Sequence, residues 1–277
     1  MPKRSSSVVG REFGNGVRKV VERTGLTQRR LAELLGWQEA KVCDMLAGKG
    51  GVDEAEVREL LAYCRTPLKE REELLALYRE SGNVYLRVPD DGVPDQVRTL
   101  INQEKDADEI TCWSMVLVPG LLQIPEYVNE VTKAAPIDAD DMPAVVAARV
   151  ARANILEHSR TFTFYVHEQA LRLPVGGEEV WREQLAHLLR MSVRKYISVR
   201  IIPTAIGMHA GTSGDFRLMK FPKYPPVVYI ESLKCCLFFD DEETVDTYEA
   251  ILKDLAAVAL DEEQSRAVIN SILEDLQ

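Results

Sequence analysis

The sequence predicts an α+β protein: an N-terminal all-α helix-turn-helix bundle followed by an α+β domain with a mainly antiparallel sheet. Three observations predict it. Residues 27–48 carry the pattern of two crossing helices, residues 110–232 hold short runs rich in β-branched and aromatic residues, and two amphipathic segments close the chain after 242. A length of 277 residues fits about two domains. The organisation expected is a flexible N-terminus at 1–9, a helix-turn-helix domain at 10–80, a linker or crossover at 81–100 and an α+β effector and dimerisation domain at 101–277.

Within the head, Phe13, Val17, Val20 and Val21 keep helical spacing up to the stop at Gly25. Thr27 then caps a second helix that Gly36 breaks, and a third runs over 38–47. Two helices crossing steeply need a small residue where their backbones touch, a turn residue tolerant of positive φ and a branched apolar plug. Ala32, Gly36 and Val42 stand at those positions, with Leu31, Leu35, Trp37, Met45 and Leu46 turned toward a shared core. Asp53 opens a fourth helix to Cys64, and Pro67 a fifth through Leu77. Ser81-Gly82-Asn83 and the PDDGVPD run at 89–95 lose periodicity and mark the linker.

Beyond it, strands are expected at 110–118, 161–167, 198–203, 215–221 and 227–232, and helices at 124–134, 140–158, 177–194, 242–260 and 262–276. The last two strands flank PKYPP, which suits an antiparallel pair.

Charge divides the chain. Its net charge is −10, yet residues 1–50 hold ten Lys/Arg against five acids, leaving −15 on the other 227. A basic module on an acidic body suits a regulator that touches phosphate at one end. The five cysteines, Cys43, Cys64, Cys112, Cys235 and Cys236, show no CxxC pair or metal spacing, which suits reduced thiols and no metal or other cofactor. MPKRSSSVVG lacks the apolar core of a signal peptide and no apolar window reaches membrane-spanning length, so the expectation is a soluble cytoplasmic protein with no membrane partner.

In a helix-turn-helix the start of the third helix reaches base edges, and its surroundings grip phosphate. Gln38, Glu39, Ala40, Lys41 and Asp44 are the candidate base readers: Glu39 can accept from cytosine, Lys41 donate to guanine and Ala40 touch a thymine methyl. Asp44 can instead pair with Lys41 along the helix. Gln28, Arg29, Lys49 and the Gly48 and Gly50 amides are the phosphate candidates. One head buries too little surface for tight binding, so a homodimer on a double-stranded operator is expected.

In the second domain the loop Gly207, Met208, His209, Gly211 to Asp215 joins two strands, and its small residues would admit a small-molecule effector or a partner. It lacks the Lys-Ser/Thr of a phosphate loop, and His209, Ser213 and Asp215 come without a nucleophile elbow, so no enzyme is expected. PGLLQ at 119–123 reads as a tight turn into a helix.

GLTQRRLAELLGW at 25–37 resembles the Xre-type helix-turn-helix regulators. VPGLLQIPEY at 118–127, LPVGGEEVWREQLAHLL at 173–189, VRIIPTAIGMHAGTSGDFRLMKF at 199–221 and VVYIES at 227–232 resemble the actinobacterial members that append an uncharacterised effector domain. The resemblance implies transcriptional control without enzymatic activity. It also implies an alternative, an antitoxin-like protein that binds a small acidic partner and autoregulates its operon. Asp44 stands where relatives commonly have a basic residue, which weakens phosphate attraction and implies a different operator.

Overall fold

The computed structural model describes residues 6–79, 84–87, 94–135, 137–157, 160–232 and 235–276. They form two compact units: Met1–Tyr85 with Lys223–Pro225 and Phe239–Asp241, and Leu86–Pro222 with Pro226–Phe238 and Glu242–Gln277.

The first unit holds five helices: α1 Val8–Arg23, α2 Gln28–Leu35, α3 Glu39–Leu46, α4 Glu54–Tyr63 and α5 Leu68–Arg79. The first helix starts at Val8, two residues before its expected start. Ser7 caps it by accepting from the Gly10 N–H, and Val8 and Val9 are buried. Residues 1–5 lie outside the described part. Val17, Leu31, Val42, Leu60 and Leu61 are fully buried in one core that gathers all five helices, with Leu35 and Trp37 packed against it. Asp53 and Glu56 form a capping box at the start of α4.

Where the second unit starts, strand β1 Val84–Arg87 lies in what the sequence reads as linker, and α6 Pro94–Asp106 begins in that stretch too. Four strand residues between turn formers are too few to show a period. The rest of the expected linker, 81–83 and 88–93 with most of PDDGVPD, lies outside the described residues. There follow β2 Glu109–Ser114, α7 Pro125–Lys133, α8 Met142–Arg152, β3 Thr161–His167, α9 Glu168–Arg172, α10 Gly177–Ser192, β4 Ile197–Ile202, β5 Phe216–Lys220, β6 Val227–Glu231, β7 Cys236–Phe239, α11 Glu242–Val258 and α12 Glu262–Glu274.

The strand order is β1-β7-β6-β5-β2-β3-β4. The architecture is α+β as expected, with a sheet that is mixed: β2 pairs β3 and β3 pairs β4 in parallel, whereas β2–β5 and β5–β6 are antiparallel. The physical reason is in the connections, since α7 and α8 intervene between β2 and β3, and α9 and α10 between β3 and β4, giving crossovers long enough for parallel neighbours. Register aligns Val227, Met219, Ile110, Phe162 and Ile197 in one buried row across five strands. Two residues along, the same face carries Tyr229, Arg217, Cys112, Phe164 and Val199, a charged side chain in an otherwise apolar row.

Polar side chains fix the outer elements. Arg200 on β4 donates to the carbonyls of Ala256, Ala259 and Leu260, satisfying the end of α11 where a cation is also favoured. The PGLLQ segment is a 3₁₀ turn, Gly120–Leu122, that runs into α7 with Pro125 at its first position. Buried Gln184 holds it, accepting from the Ile124 N–H at 2.9 Å and donating to the Leu122 carbonyl at 2.8 Å.

Candidate nucleic-acid interface

The turn between α2 and α3 is built by Gly36 at φ 66°, ψ 26°. The Trp37 N–H donates to the Ala32 carbonyl at 2.8 Å and the Gly36 N–H to the Glu33 carbonyl at 3.3 Å, the paired bonds of a Schellman ending. Ala32 and Val42 are buried at 3% and 0% exposure, so the close contact and the plug sit where the sequence spacing puts them. Only a residue without a side-chain penalty in the left-handed region closes this turn cheaply.

Behind α3 stands α1, and its glycines set the distance. A Cβ on Gly14 would come within 2.5 Å of the Leu46 carbonyl oxygen, and one on Gly10 would collide with the Gly48 carbonyl. The C-terminal turn of α3 therefore rests directly on the α1 backbone. Gly48 is buried as a result, its N–H donates to the Met45 carbonyl and the Lys49 N–H to the Asp44 carbonyl. The Gly48 amide proposed for phosphate is thus already committed to ending the helix, a correction to the sequence reading.

Gln38, Glu39, Ala40 and Asp44 are exposed together on α3, with Gln38 at its N-cap. Cys43 joins them on that face, and its thiol donates to Gln28 Oε1 at 3.3 Å, linking the start of α2 to the exposed face of α3. Sequence reasoning passed over Cys43; the i, i+4 spacing from Glu39 was the available signal.

Lys41 is placed differently. Its ammonium pairs with Glu56 on α4 and lies 5.0 Å over the Trp37 ring, leaving the side chain 28% exposed. The alternative Lys41–Asp44 pair gives way to this one, because Lys41 projects to the side of α3 that meets α4. Asp44 lies 3.8 Å from Lys49 instead. The hydrogen bond from Lys41, helped by the one from the Asp53 backbone, holds the Glu56 carboxyl below the usual carboxylate range. Arg29 and Arg30 both reach Glu33, at 3.5 and 2.9 Å; these exposed pairs are weak and leave the cations free to swing toward phosphate.

In the second unit, the loop residues separate. Gly207 takes φ 73°, ψ −138°, and Met208 is 92% exposed. His209 and Gly211 close onto buried Trp113, whose Nε1–H donates to the Gly211 carbonyl at 2.8 Å, and the His209 ring lies edge-on to it at 5.2 Å and stacked on His167 at 5.8 Å. Burial and then the neighbouring His167 hold the His209 imidazole below its usual range. His209 Nδ1 accepts from the Gly211 N–H and Asp215 accepts from the Met115 N–H at 2.8 Å, so among the described hydrogen bonds the two side chains do not meet. Cys236 is buried at the start of β7 and Cys235 precedes it, half-buried. Among the described residues no helix is long and apolar enough to cross a membrane.

Compared with known protein families, residues 12–74 match a helix-turn-helix domain and residues 97–271 match a domain of unknown function, DUF5753. No curated protein matches the chain.

Proposed function

We propose, for a chain that belongs to the DUF5753 family and carries a helix-turn-helix head, that it is a sequence-specific transcriptional regulator. The helix-turn-helix domain marks a DNA-binding regulator. Beyond that, α3 reads the operator, and the second unit provides dimerisation and senses a small molecule; no catalysis is assigned to it. The observation that carries this reading is the exposure of Gln38, Glu39, Ala40, Cys43 and Asp44 as one face of a helix whose opposite face, Val42, Met45 and Leu46, is locked into the core. That leaves a rigid helix with its polar side outward, the form a major-groove reader takes. Two heads about 34 Å apart on a two-fold operator would supply the surface one head lacks.

The base-reading set narrows to Gln38, Glu39, Ala40 and Asp44. Lys41 serves as a positioning residue that holds α3 to α4, and Arg29 and Lys49 remain the phosphate candidates, with Gln28 ordering Cys43. Anisotropy on a duplex selected by the protein tests the division. Gln38→Ala or Glu39→Ala is expected to lower affinity for that duplex by about 5- to 150-fold, the equivalent of about 1–3 kcal/mol, and to relax preference at one base position. Lys49→Ala is expected to weaken all duplexes alike and to reduce the salt slope by about one. Unchanged binding by both α3 variants would remove α3 from the reading role.

A further inference from the structure

A cavity of about 310 Å³ opens in the second unit between the PGLLQ turn, α7, α8 and the ends of β2, β5 and β6. Leu117, Val118, Val131 and Phe216 give it apolar walls, and Arg149, Arg152 and Arg217 all line it. Arg152 and Arg217 are at least nine-tenths buried, at 8% and 9% exposure. Both use the same partner, Glu104 of α6: Arg152 donates through Nε and Nη2 at 2.9 and 2.8 Å, and Arg217 through Nη1. The Arg217 Nε–H also donates to the Cys112 sulfur at 3.2 Å.

Two guanidiniums on one carboxylate leave a buried cluster with one positive charge in excess. A buried charge without a close counter-charge is expensive, so such a cluster in a cavity wall favours the approach of an anion. None of the described hydrogen bonds uses Nη1 of Arg152 or Nη2 of Arg217, and Arg152 Nη1 lies beside Gly120 on the cavity wall, within 3.6 Å of where a Cβ there would stand. The other lining acids are engaged elsewhere: Glu231 is half-exposed and sits 3.7 Å from Arg149, and Asp215 accepts from the Met115 N–H at 2.8 Å.

We infer that this cavity is the effector site of the protein and takes a small organic monocarboxylic acid. Its carboxylate docks on the free edges of Arg152 and Arg217 and its apolar body lies against Leu117, Val131 and Phe216. A polyanion such as a nucleotide is disfavoured by the two acids on the wall, and a purely apolar ligand would leave the cluster unneutralised. Cavities of this size with a few convergent polar groups are the usual form of a small-molecule site.

The inference rests on the reading of the second unit as a sensor, and its test uses no DNA, so its failure leaves the operator reading standing. The full chain is titrated calorimetrically with benzoate, phenylacetate, 4-hydroxyphenylacetate and hexanoate, and with phenylacetamide and inorganic phosphate for comparison. At least one carboxylate is expected to bind, phenylacetamide at least tenfold more weakly than phenylacetate, and Leu117→Trp, which fills the cavity away from the ion cluster, to weaken binding at least tenfold with unchanged circular dichroism. Failure of all four acids at 10 mM, equal binding of the amide, phosphate binding as tightly as the acids, or indifference to Leu117→Trp would each overturn it.

Discussion

Glu104→Gln is expected to destabilise the second unit by about 3–5 kcal/mol. Glu104 is 1% exposed and is the acid that Arg152 and Arg217 share. An amide of the same shape keeps the packing but leaves two buried guanidiniums facing each other without a counter-charge. Arg217 sits in the sheet row between Cys112 and Tyr229 and is only 9% exposed, so water at the cavity wall does little to replace the lost charge. Replacing all three members by Met is expected to cost far less than Glu104→Gln, because it removes the desolvation penalty together with the pair. Chemical denaturation followed by circular dichroism separates the two outcomes; equal losses would mean that the charges are not the cause.

The same cluster sets an acid limit. Burial pushes the Glu104 carboxyl up, but the Arg152 and Arg217 guanidiniums outweigh it and hold it below the usual carboxylate range. Its contribution is therefore fully present above the unfolded value, about 4.3, and is lost as pH falls through the lower folded value. Wild-type stability should fall below about pH 4.3 more steeply than that of Glu104→Gln, which has no proton to take up at this position.

Gly14→Ala is expected to destabilise the first unit by about 1–3 kcal/mol and to weaken DNA binding with it. The sign is the informative part. In an unobstructed helix the exchange stabilises by about 1 kcal/mol through helix propensity. Here the new methyl would meet the Leu46 carbonyl at 2.5 Å and the Leu46 carbonyl carbon at 2.9 Å, backbone atoms that cannot turn aside as a rotamer does. Relief requires α1 to move from the end of α3, which tilts the helix carrying Gln38 and Glu39. Thermal unfolding and anisotropy on the selected duplex check both effects; a raised melting temperature would show that the two helices are not in this contact.

What the sequence made legible follows from the range of the interactions. The turn at Gly36 is decided within six residues, between Ala32 and Trp37, and was readable. Strand β3 was readable to its end residues, Thr161 and His167, because seven residues suffice for an alternating pattern. Strand β1, with four residues, and the five-residue α9 are too short to show any period. Parallel pairing of β2 with β3 and of β3 with β4 was not readable, since alternation within a strand says nothing of its neighbour.

The candidate site divides along the same line. The exposed face of α3 follows from helical spacing. The removal of Lys41 from it depends on Glu56, fifteen residues on and in another helix. The Glu104 cluster joins residues 48 and 113 positions apart, and no local pattern marks Glu104, Arg152 and Arg217 as more than surface charges. Of the loop singled out in the sequence, Asp215 lines the cavity, and Trp113, on which His209 and Gly211 rest, lines it too.

The most direct test of the central claim is selection from a pool of random DNA duplexes by the purified full-length chain at about 0.15 M salt, the physiological range. The account predicts enrichment of one sequence pattern, with Gln38→Ala losing preference at a position of that pattern while still folding. A pool that leaves the selection with its input composition would contradict it and would turn attention to the antitoxin-like, partner-binding alternative.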